Sequence, residues 1–155
     1  MKQATLCFII RDNKILLGKK KFGFGKDKYN GFGGKLNPNE NPEQAAIREL
    51  FEESNLKASK ITKVGEISYI FPDKIEFNQI VHIFLVDSYE GIEKETEEML
   101  PKWFNIKEIP FNEMWDNDKY WIPLVLNSKK IKAEITQDET NTVKKEIKIV
   151  ENFSF

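Results

Sequence analysis

Residues 33–56 read GGKLNPNENPEQAAIRELFEESNL, a glycine turn that runs into a helix. Asn41 is a favourable N-cap residue, Pro42 suits the first helical position, and Gln44 completes a capping-box pattern. Asn55 stands where a left-handed residue commonly ends a helix, and asparagine tolerates that conformation better than most residues. We therefore predict a helix that begins after Asn41 and ends before Asn55.

Three glutamates of this helix share one face. Glu49, Glu52 and Glu53 are spaced i, i+3 and i+4, which places their carboxylates side by side. Their mutual repulsion costs roughly a few tenths of a kcal/mol per pair, and a divalent cation would offset it. Carboxylate oxygens suit Mg²⁺ or Mn²⁺, so the face is a candidate metal site. The opposite face carries the residues that we expect to be buried: Ala46, Ile47, Leu50 and Phe51.

Arginine is scarce in this chain. Only Arg11 and Arg48 are arginine, and lysine supplies the other basic residues. Because the guanidinium group is a rigid planar fork, we expect Arg48 to hold the carboxylate of Glu49 or Glu52 in a fixed orientation. The alternative is an accident of codon usage on an exposed face.

Composition bounds the class of protein. With 155 residues, 40% hydrophobic and 32% charged, the chain is expected to form one globular domain over residues 1–155. A net charge of −1 gives no electrostatic footprint for duplex nucleic acid. The single cysteine, Cys7, excludes an intramolecular disulfide and is interpreted as a buried, inert thiol. The apolar run around Cys7 is too short for a signal peptide, and no stretch approaches transmembrane length, so we expect a cytoplasmic protein without a membrane partner.

Apolar and β-branched runs alternate with turns along the chain. They predict strands over residues 4–10, 14–18, 64–71, 79–86, 103–104, 131–135 and 143–150, with turns at 12–13 and 137–141. A second helix is predicted over residues 113–127, with an apolar surface that includes Tyr120 and with Pro123 kinking or dividing it. Two helices among strands predict an α+β sheet-and-helix sandwich rather than a regular βαβ series.

Several residues allow two interpretations at this stage. Glu98 belongs to an acidic cluster that is either a solvated charge run or the source of a remote metal ligand. Phe24, in a basic glycine-containing loop, either lines a pocket or caps the edge of the core. His82 lies among apolar neighbours and is expected to be structural. Residues 29–35 allow close backbone approach to a ligand, but Leu36 stands where a Walker loop requires Ser or Thr.

A resemblance to a known family rests on fixed spacing at many positions. The pattern matches the Nudix box at Gly34, Glu40, Arg48, Glu49, Leu50, Glu52, Glu53 and Leu56. The family has glycine where this chain has Asn55, a mild departure that touches no ligand. Further likeness over residues 29–35, 98–99, 103–104, 109–111, 114–115 and 120–121 resembles the branch that hydrolyses oxidised purine nucleoside triphosphates.

The resemblance implies a fold, a reaction and a metal site. The fold would be the Nudix α/β/α sandwich on a mixed sheet. The reaction would be Mg²⁺-dependent hydrolysis of 8-oxo-dGTP or 2-hydroxy-dATP to a monophosphate and pyrophosphate, by a monomeric enzyme that sanitises the nucleotide pool. The implied metal ligands are the Gly33 carbonyl, Glu49, Glu52, Glu53 and Glu98. Glu53 is the most critical of them, as principal ligand or as the base, and Arg48 completes the catalytic group.

The resemblance also implies a substrate pocket. Asn30 would read the purine edge, Trp115 would stack on the base, and Lys20 and Lys35 would supply fixed positive charge. The implied substrate-binding residues are Thr5, Lys20, Phe24, Asn30, Phe32, Gly33, Gly34, Lys35, Tyr69, Phe71, Trp115, Asn117 and Asp118. The tryptophan alone would usually be a core residue, but the polar run after it favours stacking.

Two positions depart from this pocket pattern. The family has adjacent aspartates where this chain has Asn117 followed by Asp118, and methionine where it has Gln79. Because the Asn117 amide cannot ionise, we hypothesise a narrowed or shifted substrate range or pH profile. The alternatives are a Nudix pyrophosphatase for another methylated or unmodified purine nucleotide, and a non-catalytic nucleotide- or RNA-binding module. The latter predicts eroded carboxylates, yet all of them are present.

Overall fold

The computed structural model describes residues 1–138 and 143–155, so the turn predicted over 137–141 lies largely outside the described residues. In the described part of the chain there are eight strands and two α-helices. The strands are β1 Lys2–Arg11, β2 Lys14–Lys20, β3 Tyr29–Asn30, β4 Lys57–Ile70, β5 Gln79–Glu90, β6 Met99–Asn105, β7 Ile131–Gln137 and β8 Val143–Glu151. The helices are α1 Pro42–Ser54 and α2 Asp118–Leu126, and short 3₁₀ turns lie at Ile75–Phe77, Ile106–Glu108 and Phe111–Glu113.

The strands form one mixed sheet in the order β3-β2-β1-β5-β4-β7-β8, with β6 paired to β2. The β1–β5 and β4–β7 pairs are parallel, and the other pairs are antiparallel. Each face of the sheet is covered by a helix. Leu50 of α1 packs on one face with Ile9 and Phe84, and Trp121 of α2 packs on the other with Phe8. The predicted α+β sandwich is confirmed.

The first helix begins and ends as predicted. The Asn41 side chain accepts a hydrogen bond from the Gln44 N–H at 2.8 Å, and the Gln44 side chain accepts one from the Asn41 N–H at 3.0 Å. Asn55 ends the helix in the left-handed conformation, with φ 68°. Phe51, however, is 51% exposed, and the prediction that it is buried is wrong. The buried face is centred on Ala46 and Leu50, and each residue turns about 100° from the last, so Phe51 points away from the sheet.

The second helix is shorter than predicted. It begins at Asp118, and Trp115 lies in the irregular segment before it rather than on the helix. Pro123 lies inside the helix without dividing it. The carbonyl that Pro123 leaves without a helical partner belongs to the exposed Lys119, where water can satisfy it. Tyr120 is 46% exposed and does not belong to the predicted apolar surface.

The fourth strand is longer than the apolar pattern indicated. It begins at Lys57, whereas the prediction began at residue 64. Its pairing with β7 starts only at Gly65. The first half of the strand therefore pairs with β5 along one edge and, among the described residues, has no strand partner along the other. This half carries exposed lysines and shows no hydrophobic run, which is why the sequence pattern missed it. No helix in the described residues is both long and apolar enough to cross a membrane.

Candidate active site

The glycine turn before α1 is pressed against β1. The Thr5 N–H donates to the Gly34 carbonyl at 2.9 Å, and Ala4 and Lys35 form an isolated bridge. A Cβ on Gly33 would lie 1.8 Å from the Thr5 carbonyl oxygen, and one on Gly34 would lie 2.6 Å from the Glu49 carboxyl carbon. Gly33 therefore requires glycine, because a side chain would push the turn away from the β1 backbone, whereas a side chain at position 34 would displace the Glu49 carboxylate.

Three carboxylates converge beside this turn. Oxygens of Glu49, Glu53 and Glu98 all lie within 4.8 Å of one another. Glu53 is 5% exposed and accepts a hydrogen bond from the Gly33 N–H at 2.8 Å. The Thr96 hydroxyl donates to the Glu53 carbonyl at 3.1 Å and accepts from the Glu98 N–H at 3.3 Å, which ties the remote glutamate to the end of α1.

The electrostatics of this cluster favour a cation. Burial raises the pKa of Glu53 to about 9, with Glu49 and Glu98 adding to the rise and the Gly33 N–H opposing it. Burial also raises the pKa of Glu49, against the lowering effect of Arg48. Carboxylates that resist ionisation together become fully charged when a divalent cation neutralises them. Three converging carboxylate oxygens fit such a cation.

Arg48 organises the carboxylates around α1. It binds Glu40 through both branches of its fork, with Nε and Nη2 each 2.8 Å from a carboxylate oxygen. Its Nη1 donates to Glu49 at 2.8 Å and to Glu52 at 3.3 Å, so the expectation that it holds these two carboxylates is confirmed. The Arg48 hydrogen bonds lower the pKa of Glu40 to about 2. Reasoning from residue types missed Glu40 as a partner, although its position belongs to the box.

Glu52 does not join the three converging carboxylates. Its side chain is 49% exposed and contacts Arg48. Among the described residues, Glu52 therefore contacts Arg48 and is not part of the cluster of Glu49, Glu53 and Glu98.

A cavity of about 270 Å³ opens beside the cluster and is bordered by Glu53. It brings together twelve of the predicted substrate-binding residues: Thr5, Lys20, Phe24, Asn30, Gly33, Gly34, Lys35, Tyr69, Phe71, Trp115, Asn117 and Asp118. Phe32 is not among its lining residues. It is completely buried in the core beneath α1, against Gly18 and Met99, so its side chain packs rather than facing a ligand.

Aromatic side chains form the mouth of the cavity. The rings of Phe24 and Trp115 lie 4.9 Å apart, and Phe24 also approaches Phe77 at 6.4 Å. Lys28 Nζ lies 5.4 Å from the centre of the Trp115 ring. Phe24 is 60% exposed, so its ring edges the opening rather than the core. An apolar slot with a cationic rim suits a flat aromatic ring carrying anionic groups.

Polar groups lie deeper in the cavity. Asn117 is 2% exposed and hydrogen-bonds to Tyr69, Trp121 and Gln137. Asp118 is 3% exposed, and burial raises its pKa to about 7. Among the residues that the structure describes, its Oδ2 is the one buried side-chain oxygen or nitrogen without a hydrogen-bond partner. An orphaned oxygen at a cavity wall is a place for a donor on a ligand.

None of His82, Cys7 and Glu95 borders the cavity. His82 is buried between Gln3, at 2.7 Å, and Lys63, at 2.9 Å, which fits the structural interpretation. Cys7 is 1% exposed, and burial raises the pKa of its thiol far above the ordinary value, so it is inert. Glu95, three residues before Glu98 in the acidic cluster, forms a surface ion pair with Lys21 at 2.6 Å.

Comparisons with known proteins agree with this geometry. A family model described as the NUDIX domain matches residues 1–125. Oxidized purine nucleoside triphosphate hydrolase from Danio rerio is 47% identical over 129 residues, covering 83% of this chain and 82% of that protein. The enzyme of that name from Mus musculus is 42% identical, covering 90% of this chain and 88% of that protein. A crystal structure of a MutT protein from Bacillus halodurans superposes with a TM-score of 0.84 at 20% identity, covering 96% and 97% of the two chains, and so supports the fold.

Proposed function

The chain belongs to the Nudix family, and on that premise we propose that it hydrolyses oxidised purine nucleoside triphosphates to the monophosphate and pyrophosphate. The observation that carries the proposal is one cavity bordered both by Glu53 of the carboxylate cluster and by an aromatic slot with the buried, unpartnered Oδ2 of Asp118. The carboxylate end suits a triphosphate, and the other end suits a hydrogen-bonding aromatic base.

A divalent cation is the cofactor that this donor set fits. We propose Mg²⁺, with Mn²⁺ as an alternative, held by Glu49, Glu53 and Glu98. The Gly33 carbonyl and Glu52 complete the proposed ligand set. When bound, the cation would neutralise phosphate oxygens and activate a water for attack on phosphorus.

The chain's own residues position the substrate. Lys20 and Lys35 both border the cavity and supply positive charge for the phosphates. Glu53 is held by the Gly33 N–H, which fixes one carboxylate oxygen and leaves the other to bind or to accept a proton. Asn30 Oδ1 accepts from the Gly31 N–H at 2.8 Å, so its amide N–H₂ group is turned toward other partners, such as a base.

The Asn117 hypothesis follows from the same site. An amide between Tyr69, Trp121 and Gln137 keeps the same protonation state at every pH, whereas two adjacent carboxyls would share a proton. We propose that this narrows the substrate range or shifts the pH profile. The test compares kcat/KM for 8-oxo-dGTP and 2-hydroxy-dATP across pH for the native protein and Asn117→Asp. Superimposable profiles would remove the hypothesis.

We further propose a cytoplasmic monomer that protects the nucleotide pool, with no duplex nucleic acid or membrane as partner. Size-exclusion chromatography with light scattering checks the monomer.

The decisive experiment measures pyrophosphate release with Mg²⁺ across a panel of oxidised, methylated and unmodified purine nucleoside triphosphates. We expect the highest kcat/KM for the oxidised purines. A clear preference for a methylated or unmodified purine would replace the oxidised substrate, and absence of pyrophosphate release from the whole panel would overturn the proposed function.

A further inference from the structure

The hydrogen bonds at the deep end of the cavity have a fixed direction. The Trp121 indole can only donate, and its Nε1 lies 3.0 Å from the Asn117 side chain. Burial raises the pKa of Tyr69 well above its ordinary value, so its hydroxyl stays protonated and donates to Asn117 at 2.8 Å. The Asn117 atom that receives these two bonds must therefore be its oxygen.

The orientation of the Asn117 amide fixes the orientation of the Gln137 amide. Two donors occupy both lone pairs of Asn117 Oδ1, so Asn117 can offer nothing but N–H bonds to further partners. One of these reaches Gln137 at 3.0 Å, and the receiving atom must be Gln137 Oε1. The other end of the Gln137 amide is then N–H₂. No hydrogen bond within residues 1–138 and 143–155 occupies that nitrogen.

The backbone explains why Gln137 reaches this point. Along β7 the buried positions are Ile131, Ala133, Ile135 and Gln137, so the glutamine continues the face that packs beneath α2. It is 5% exposed, and it borders the same cavity as Asn117 and Asp118. An amide nitrogen without a partner at a cavity wall is a donor available to an acceptor on a ligand.

We propose that Gln137 is a base-reading residue, whose amide N–H₂ group binds a carbonyl oxygen on the edge of the purine. Together with the remaining N–H of Asn117 it makes a pair of donors that cannot ionise. The pair would therefore select 6-oxo purines over 6-amino purines. This inference rests on the proposed function and names the substrate class within it.

Donor and acceptor matching gives the direction of the preference. A guanine-type base presents an oxygen at position 6 and N–H donors beside it, which complement the two amides and the orphaned Asp118 oxygen. An adenine-type base presents an amino group at position 6, so donors would face donors. Leaving these donors unpaired against a bound base is expected to lower kcat/KM roughly 10- to 100-fold, which corresponds to about 1.4–2.7 kcal/mol.

The test measures kcat/KM for 8-oxo-dGTP and 2-hydroxy-dATP. We expect the native protein to prefer 8-oxo-dGTP at least about tenfold. Gln137→Glu keeps an oxygen for Asn117 but replaces the N–H₂ group by a second oxygen, and it should reduce the preference at least about tenfold. Gln79→Glu is the matched control, because Gln79 borders the same cavity on β5 and the variant adds the same charge. Gln79→Glu should lower kcat/KM for 8-oxo-dGTP and for 2-hydroxy-dATP by the same factor.

The other possible outcomes separate a failure of the role of Gln137 from a failure of the substrate preference and from a failure of the proposed function. An unchanged preference in folded Gln137→Glu, or an equal change in Gln79→Glu, would overturn the role of Gln137. Equal kcat/KM values in the native protein would overturn the inference and leave the proposed function standing. If the native protein hydrolyses neither nucleotide, both the inference and the proposed function are overturned. If thermal denaturation shows that Gln137→Glu is unfolded, Gln137→Met takes its place and must selectively reduce kcat/KM for 8-oxo-dGTP.

Discussion

The two ends of the cavity are built in opposite ways. At the carboxylate end, Glu49 and Glu53 come from adjacent turns of one helix, and only Glu98 is supplied from a distant segment. At the base end, Tyr69, Asn117 and Gln137 come from three separate parts of the chain and meet only in the folded protein. The carboxylate cluster is therefore encoded mainly by local spacing, whereas the proposed base pocket is encoded by tertiary packing.

Both ends hold a buried carboxyl, but for different reasons. Burial together with neighbouring carboxylates raises the pKa of Glu53, and a cation would relieve both effects. The pKa of Asp118 is raised by burial, and hydrogen bonds at the end of the cavity lower it only in part. The first carboxyl thus suits the proposed metal, and the second suits a proton or a donor on the proposed base.

The largest effect is expected at the carboxylate end. Glu53→Gln should lower kcat on the order of 10³-fold or more, because it removes a charged ligand from the proposed metal site. Its thermal midpoint without metal should stay the same or rise, since a buried amide avoids the cost of ionisation. Pyrophosphate release and thermal denaturation with and without Mg²⁺ measure both effects.

Glu52→Gln is the matched variant for this first prediction, because it changes the same residue type on the same helix. Since Glu52 is half exposed and contacts Arg48, we expect a smaller loss than for Glu53→Gln. Full activity of Glu53→Gln would refute the assignment of the metal site.

The next effect concerns the arginine contacts. Arg48→Lys keeps the positive charge but cannot bind Glu40 through two nitrogens while also holding Glu49, so kcat should fall about tenfold with the fold retained. Steady-state kinetics and circular dichroism check this. Arg11→Lys, at the only other arginine and on an exposed side chain, should change neither quantity. Equal effects at the two positions would contradict the orienting role.

At the base end we expect a pH-dependent change in stability. The ordinary pKa of 3.8 rises to about 7 for Asp118 in the folded protein, so the folded state retains a proton that the unfolded chain releases. This contribution to stability is therefore present at low pH and is lost as pH rises from about 4 to about 7. Asp118→Asn should gain stability relative to the native protein over that window, by on the order of a few kcal/mol.

Urea denaturation at several pH values measures this gain. The free energies of unfolding of Asp118→Asn and the native protein should diverge from pH 4 to pH 7 and then differ by a constant amount above pH 7. Parallel curves from pH 4 to 7 would show that Asp118 titrates normally.

The smallest effect is expected at the end of α1, outside both sites. Asn55→Gly relieves a left-handed conformation, with φ 68°, that glycine adopts freely. The free energy of unfolding should rise by a few tenths to about 1 kcal/mol, with unchanged kinetics. Urea denaturation checks the first quantity. A loss of activity would show that the end of α1 is coupled to the carboxylates more tightly than its contacts indicate.

The features that could be predicted from the sequence are those set by residues close together in the chain, and the features that were missed depend on tertiary packing. The caps of α1, the spacing of its glutamates and the contacts of Arg48 with Glu49 and Glu52 depend on neighbours in sequence, so the pattern of residues was sufficient. The polar first half of β4 and the late start of α2 depend on which elements cover them, and they were misjudged. Gln137 was missed entirely, although a polar residue at the end of a β7 alternation of Ile131, Ala133 and Ile135 is a signal that could have found it.

The placement of Gln137 has an evolutionary consequence. Its strand lies near one edge of the sheet, between β4 and β8, and contributes no residue to the carboxylate cluster. Given the proposed role of Gln137, substitutions in β7 would change which nucleotide is accepted and leave the carboxylate cluster intact. On that proposal, a new specificity would arise through single substitutions in β7, each of which leaves a working enzyme.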